Sequence, residues 1–417
     1  MYVKPHLHRH PIDSCSHNSE NNKMLFQNQN HSYRGCFGGM SPNIAAELLR
    51  YGKSKPSCIS LAQGEGSLST PDFICEAGHR ALTEGKTFYG FASGLTELRQ
   101  EISDYHRRIY GQDISVHRIT VTSSGTHAMH LALTSILESG DEIVAVTPIW
   151  KNLIGITELV GGKILDVAME QKDGAWVLDL NKLFDKVTPA TKAIMIVSPN
   201  NPTGWVMPEA DVRAVLEFAR ARGIWIIADE VYGRTVHDSI AAPSFLDYAT
   251  DDDRLYVINS FSKSWAMTGW RLGWLVGPKD AEDKIRDVIL YETMGAPSFV
   301  QLAGIQALRH GEDFIQTQKK LWKSNQDLVV GRLAEFDRVS IVKASSAFYA
   351  FFKVEGEDDS YHFVRRLIDE AGVSLAPGTA FGNGFNNYLR LCFATDSETV
   401  NVAIDRMANF LRSRPNF

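Results

Sequence analysis

The chain is predicted to fold as an α/β protein, with a large domain built on a mostly parallel sheet flanked by helices and a smaller α+β domain. Two observations predict this. From about Asn43 to about residue 300, short and nearly continuous apolar runs alternate with amphipathic helical stretches, the pattern of strands covered on both faces by crossover helices. Beyond that point the alternation gives way to a long helical stretch, two strand-like segments and further helix. With 417 residues, 44% of them hydrophobic, the chain has apolar material for both domains.

Each element has its own signal. Strands are predicted at Arg118 to Ser124, Asp141 to Pro148, Lys192 to Pro199, Ile224 to Val231 and Arg254 to Phe261, all short runs dominated by apolar, mostly β-branched residues. A helix is predicted from Asn43 to Tyr51. Another follows Pro208, whose ring suits a first turn, and Gly223 is placed to end it. Past residue 300 come a helix from Gln301 through Arg309 and onward, the strand-like SSAFYAFFKV, a helix from Ser360 and the strand-like NYLRLCFAT. The predicted division is a mobile tail over 1–33, a first part of the small domain over 34–61, the large domain over 62–300 and the rest of the small domain over 301–417.

Composition narrows the function classes. A formal net charge of -6 with no basic block favours small molecules over nucleic acid or an anionic membrane surface. Five scattered cysteines form no Cys-x-x-Cys pair, which suits a reducing cytoplasm. No apolar run is long enough to span a bilayer, and the N-terminus lacks the apolar core of a secretory signal. The tail is rich in His, Asn, Ser and Gln, and Asp13 and Glu20 argue against a targeting role. His6, His8 and His10 alternate without a supporting carboxylate or cysteine framework, so they read as solvated tail rather than as a metal site.

The chemistry concentrates at the ends of the predicted strands, where open parallel sheets bind their ligands. In SFSKSWAMTGWRLGW, Lys263 is bracketed by hydroxyls, with Ser260 and Ser262 ahead of it, and is followed by Arg271. A lysine amine condenses with an aldehyde, while two hydroxyls and a guanidinium suit a phosphate; together they describe a seat for pyridoxal 5'-phosphate. Ser124, Gly125 and Thr126 follow a strand and open a helix, which makes either an anion site or an ordinary helix cap. Asn201, in the turn SPNNPTG, is placed to donate to a phenolate oxygen. Asp229 closes a buried apolar strand, with Tyr232 three positions later. A carboxylate there pairs with a cation such as a pyridinium, caps a helix or joins a local ion pair. Glu230 would face the opposite way in a strand. Trp150, in PIW, either stacks on a ligand ring or packs in the core. Arg390 lies inside an apolar strand pattern, where it captures a carboxylate or forms a structural ion pair. His127 and His130 read as packing or surface residues.

Taken in order, YGFASGLTELR, SSGT, PIW, SPNNPTG, ADEVY, SFSKSWAMTGWRLGW, APGTAFG and NYLRLCFAT resemble the fold-type I, class I/II pyridoxal-phosphate aminotransferases, from about Met40 to near the C-terminus. The resemblance implies a mostly parallel seven-stranded sheet in the large domain, a small domain built from both chain ends, and a homodimer with active sites at the subunit boundary. It implies Lys263 as the cofactor-binding and proton-carrying lysine, Asp229 as partner of the pyridine nitrogen, and Asn201 with Tyr232 as partners of the phenolic oxygen. Ser124, Gly125, Thr126, Ser260, Ser262 and Arg271 would hold the phosphate, joined by Tyr89 from the neighbouring subunit. Trp150 would stack on the ring. Arg390 would take the substrate α-carboxylate, with Asn201 and the backbone near Gly64 closing around it. The expected substrates are an L-amino acid and a 2-oxo acid, exchanged in ping-pong fashion, and no metal is expected.

Two departures from the family pattern stand out. GEGSL, Gly64 to Leu68, lacks the proline many relatives carry there, and Thr126 stands where relatives of the bacterial aspartate branch often have a lysine. The substrate side chain is therefore left open. Carbon–sulfur β-lyases and aminocyclopropane-carboxylate-synthase-like enzymes share the same lysine and aspartate and remain alternatives. A pyridoxal-phosphate-sensing transcription regulator is a further one, though the tail before Gly39 is short for a DNA-binding module and lacks helix-turn-helix periodicity.

Overall fold

The computed structural model describes residues 42–413; the predicted tail, with His6, His8 and His10, lies outside the described residues. The central feature is a seven-stranded sheet. In chain order its strands are β2 (Ile119–Thr122), β3 (Glu142–Thr147), β4 (Lys163–Ala168), β7 (Thr191–Val197), β8 (Trp225–Asp229), β9 (Leu255–Ser260) and β10 (Gly273–Val276). In space they run β2-β10-β9-β8-β7-β3-β4, and only β10 opposes the rest. All five strands predicted from apolar runs are present, joined by β4 and β10.

The runs lack polar alternation because both faces of the sheet are buried. Along β7, Ala193, Met195 and Val197 enter one apolar core while Ile194 and Ile196 enter the other. The same parity runs through Ile227 and Ala228 of β8 and through Tyr256 and Val257 of β9. Each such fully buried Ile or Val contributes about 1.5–3 kcal/mol. At the mouth of β8 this parity sends Asp229 and Glu230 to opposite faces, as strand geometry requires. Glu230 ends buried on the side of Phe245, whose amide donates to its Oε1 at 3.0 Å, and burial pushes its pKa up to about 8.

A second sheet is built from the C-terminal part of the chain. It is four-stranded and antiparallel, ordered β11 (Val339–Ile341), β12 (Tyr349–Val354), β15 (Tyr388–Cys392), β14 (Ala376–Pro377). The helix α1 (Ile44–Lys53) shares its apolar core through Leu48, as does the long helix α11 (Glu312–Leu333) through Trp322 and Val329. α1 is capped by the Asn43 side chain, which accepts from the Ala46 amide at 3.1 Å. The helix after Pro208, α7 (Glu209–Arg222), stops at Gly223, whose φ of 63° lies where only glycine is at ease. The predicted run from Gln301 is two helices, α10 (Ser298–His310) and α11, broken at Gly311, where a Cβ would meet the Trp265 indole at 2.4 Å.

Candidate active site

The carboxyl ends of the parallel strands open onto a cavity of about 420 Å³. Val197 ends β7, Asp229 ends β8 and Ser260 ends β9, and all three line it. The short helix α8 (Phe261–Ser264) starts there because Ser260 Oγ accepts the Ser262 amide at 3.1 Å. One turn on, that helix delivers Lys263.

Lys263 is half-buried and donates from Nζ to the carbonyl of Gly64 at 2.7 Å. Burial pulls its pKa down to about 8, with Arg390 and Arg271 adding to the effect. Asp229 is 6% exposed. Burial raises its carboxyl to about 6, against the opposing pull of the Val231 amide, 3.2 Å from Oδ1, and of the Lys263 charge. A buried carboxylate in this position gains from a cation placed against it.

The rim of the cavity is a bonded series of polar groups. Asn201 Nδ2 donates to the Tyr232 hydroxyl at 3.3 Å, and its Oδ1 accepts from Arg390 Nη1 at 2.9 Å. Arg390 also donates from Nη2 to the carbonyl of Ala62, while its buried Nε has no partner among the described residues. Its guanidinium lies over the rings of Tyr349 and Phe381, 4.5 Å and 5.0 Å from their centroids. Burial keeps the Tyr232 phenol well above its ordinary pKa.

On another side the cavity meets the helix α4 (Gly125–Ile136), whose first residues Gly125 and Thr126 line it. Ser124 caps this helix by accepting from the His127 amide at 3.1 Å. Ser262 and Arg271 complete that side, the arginine exposed and donating from Nη1 to the carbonyl of Thr268. β10 passes close behind: a Cβ on Gly273 would meet the Gly125 nitrogen at 2.6 Å. The amides at a helix start, two hydroxyls and a guanidinium form a donor-rich wall suited to an anion. Trp150 lines the cavity just ahead of the helix α5 (Lys151–Leu159).

The predicted site residues are thus brought together with two qualifications. Tyr89 does not line the cavity; it is 82% exposed. Ser124 touches the cavity through its neighbours rather than lining it itself. Sequence reasoning also missed residues that matter. Tyr349 places its hydroxyl 2.8 Å from that of Tyr232, and Ala45, Ala46 and Leu49 of α1 form an apolar wall beside Phe381. Within YAFFKV nothing in the local pattern sets Tyr349 apart.

Known proteins are similar to this chain over most of its length. The family model for aminotransferase class I and II matches residues 56–407. An aspartate aminotransferase of Thermotoga maritima is 34% identical over 371 residues, 89% of this chain and 95% of the relative. One of Pyrococcus horikoshii is 32% identical over 368 residues, 88% and 93% of the two chains. A crystal structure of a Thermotoga maritima aspartate aminotransferase superposes with a TM-score of 0.85 at 31% identity, covering 91% of this chain and all of that one.

Proposed function

Because the chain belongs to the class I and II aminotransferases, and is an aminotransferase that moves an amino group between an L-amino acid and a 2-oxo acid, we propose that it does so on pyridoxal 5'-phosphate held in the cavity at the strand ends. The observation that carries the reading is the pairing of a depressed amine, Lys263, with a raised carboxyl, Asp229, in one cavity. The lowered amine is more readily neutral, the form that condenses with an aldehyde, and the raised carboxyl marks a desolvated anion that a cationic ring would stabilise.

The residues fit the group. A cavity of about 420 Å³ lies in the usual range for a cofactor site. Asp229 would hold the pyridine nitrogen protonated, and Asn201 with Tyr232 would donate to the phenolic oxygen. Ser124, Gly125, Thr126, Ser260, Ser262 and Arg271 would take the phosphate, and Trp150 would cover the ring. When bound, the cofactor supplies an aldehyde that condenses with amines and a cationic ring that withdraws electrons.

Lys263 then has two tasks at one atom. Its Nζ would hold the cofactor, and when free would take the proton from the substrate α-carbon and give it up again within the cavity. The lowered pKa leaves a useful fraction neutral near physiological pH. Arg390 orients the substrate by its α-carboxylate, with Asn201 and the Gly64 backbone beside it, and its unpartnered Nε is a donor held in reserve. Departure of one oxo acid before entry of the next gives the ping-pong order.

We further propose a homodimer. Phe88, Tyr89, Phe91 and Tyr291 are 71–88% exposed, more aromatic surface than a free protomer ordinarily shows. Their segments adjoin, since Ser298 Oγ donates to the carbonyl of Phe88 and Gly295 packs on that of Phe91. In such a dimer Tyr89 would serve the phosphate of the second copy. The working division is a cofactor-holding domain over 62–300 and a small domain from 34–61 and 301–417, of which 34–41 and 414–417 lie outside the described residues; the separate core around Leu48, Trp322 and Leu389 supports it for the rest. No helix among the described residues is long and apolar enough to cross a membrane. We assign the protein to the cytoplasm, in keeping with free thiols at Cys58, Cys75 and Cys392.

The test is to add single amino acids to the cofactor-loaded protein and follow both the cofactor absorption and the products. Conversion to the amine form of the cofactor with release of a stable oxo acid supports the reading. No conversion with any amino acid, or ammonia with pyruvate in its place, defeats it.

A further inference from the structure

The anion-binding wall contains one residue in a conformation that must be held. Ser124 has φ of 144° and ψ of 166°, a region otherwise left to glycine. Two bonds act on it from within the turn: Thr122 Oγ1 donates to its carbonyl at 2.8 Å, and its own Oγ accepts the His127 amide. A third holds the residue before it. The Ser123 amide donates to His127 Nδ1 at 3.1 Å, so the imidazole folds back over the turn that its own helix begins.

The far edge of the ring is fixed as well. His127 Nε2 lies 2.9 Å from Glu292 Oε2 on the helix α9 (Ala281–Glu292), whose other oxygen is 3.2 Å from His130 Nδ1. A ring nitrogen that accepts from a backbone amide carries no proton. The proton therefore sits on Nε2 and is donated to Glu292, which fixes both tautomer and ring orientation. Burial lowers the pKa of His127 and favours the neutral ring that this arrangement needs.

We propose that His127 is a positioning residue for cofactor phosphate: its Nδ1, oriented by Glu292, holds the Ser123–Ser124 turn in the glycine-like conformation that sets the first amides of α4, at Gly125 and Thr126, against the cavity. The inference rests on the pyridoxal-phosphate reading above. It adds a residue that touches neither cofactor nor substrate but shapes what does.

The test compares the affinity of the cofactor-free full chain for pyridoxal phosphate with that for pyridoxal, which lacks the phosphate, by absorbance titration. His127→Gln keeps a donor towards Glu292 but loses the acceptor for Ser123. His127→Asn places an amide oxygen near the Nδ1 position and keeps it. The loss of one hydrogen bond to the turn lowers pyridoxal phosphate affinity about tenfold in the Gln variant and about twofold or less in the Asn variant, with pyridoxal unchanged in both. A wild-type ratio of the two affinities in His127→Gln, or equal losses for both aldehydes, overturns the proposal. Failure of the unaltered chain to bind pyridoxal phosphate would instead refute the cofactor reading beneath it.

Discussion

The phenolic oxygens of Tyr232 and Tyr349 lie 2.8 Å apart, joining the loop beyond β8 of the large sheet to β12 of the small one. Gly64 packs directly against this pair: a Cβ there would stand 2.3 Å from the Tyr349 oxygen and 3.2 Å from its Cζ. Gly64→Ala should therefore destabilise the chain by about 1–3 kcal/mol through overpacking. Removing the oxygen in a Gly64→Ala/Tyr349→Phe double variant should recover part of that loss. Urea unfolding of the four chains of this cycle measures it, and strict additivity would mean that the two positions do not meet as described.

Lys263→Ala should abolish covalent capture of the cofactor, so that borohydride reduction leaves no added mass on the peptide containing residue 263. Transamination should fall by at least about 100-fold, the lower end of what a positioned acid–base group supplies. In the unaltered chain, capture needs the neutral amine. With its pKa near 8, the capture rate should climb about tenfold per pH unit below pH 8 and flatten above it. A rate flat between pH 6 and 8 would contradict the depressed amine.

Arg390→Ala should raise KM for the amino acid about 100-fold or more, since it removes a buried, charge-assisted anchor. Arg390→Lys should recover little, because a single ammonium cannot reproduce the fork that reaches both Asn201 and Ala62. Steady-state kinetics decide it. An unchanged KM in the alanine variant would remove Arg390 from the substrate site.

Asp229 predicts a pH dependence of stability in the cofactor-free chain. Its folded carboxyl titrates near 6, above the value of about 3.9 for an unfolded aspartate. Between these values the native state binds more protons than the unfolded one, so stability is full below the window and falls as pH rises through it. The loss amounts to about 3 kcal/mol by pH 7. Asp229→Asn should remove this slope and raise stability at neutral pH while disabling transamination. Denaturant unfolding of both chains from pH 4 to 7 gives the comparison, and parallel curves would reject it.

Much of this site was legible because its key groups break a local pattern. Asp229 ends an apolar run, Lys263 follows one at short range, and Arg390 is a charge inside a third. Such departures carry a desolvation cost that a sequence makes visible. Tyr349, Phe381 and the Ala45–Ala46–Leu49 wall break nothing locally. They reach the cavity only because the small sheet and α1 close over the strand ends, an arrangement set by contacts between distant segments. The strand β10 escaped for a different reason. Its four residues straddle the end of the segment dominated by Lys263 and Arg271, and its reversed direction follows from pairing with β9 and β2 rather than from composition. The role of His127 was hidden too, since an imidazole on a helix looks the same whether it packs or holds a turn.

The bonds that Arg390 and Lys263 make in the resting chain, to Asn201, Ala62 and Gly64, are also bonds that ligands will claim. They act as placeholders. On the proposed reading, a substrate or cofactor would bind by exchanging partners with these groups.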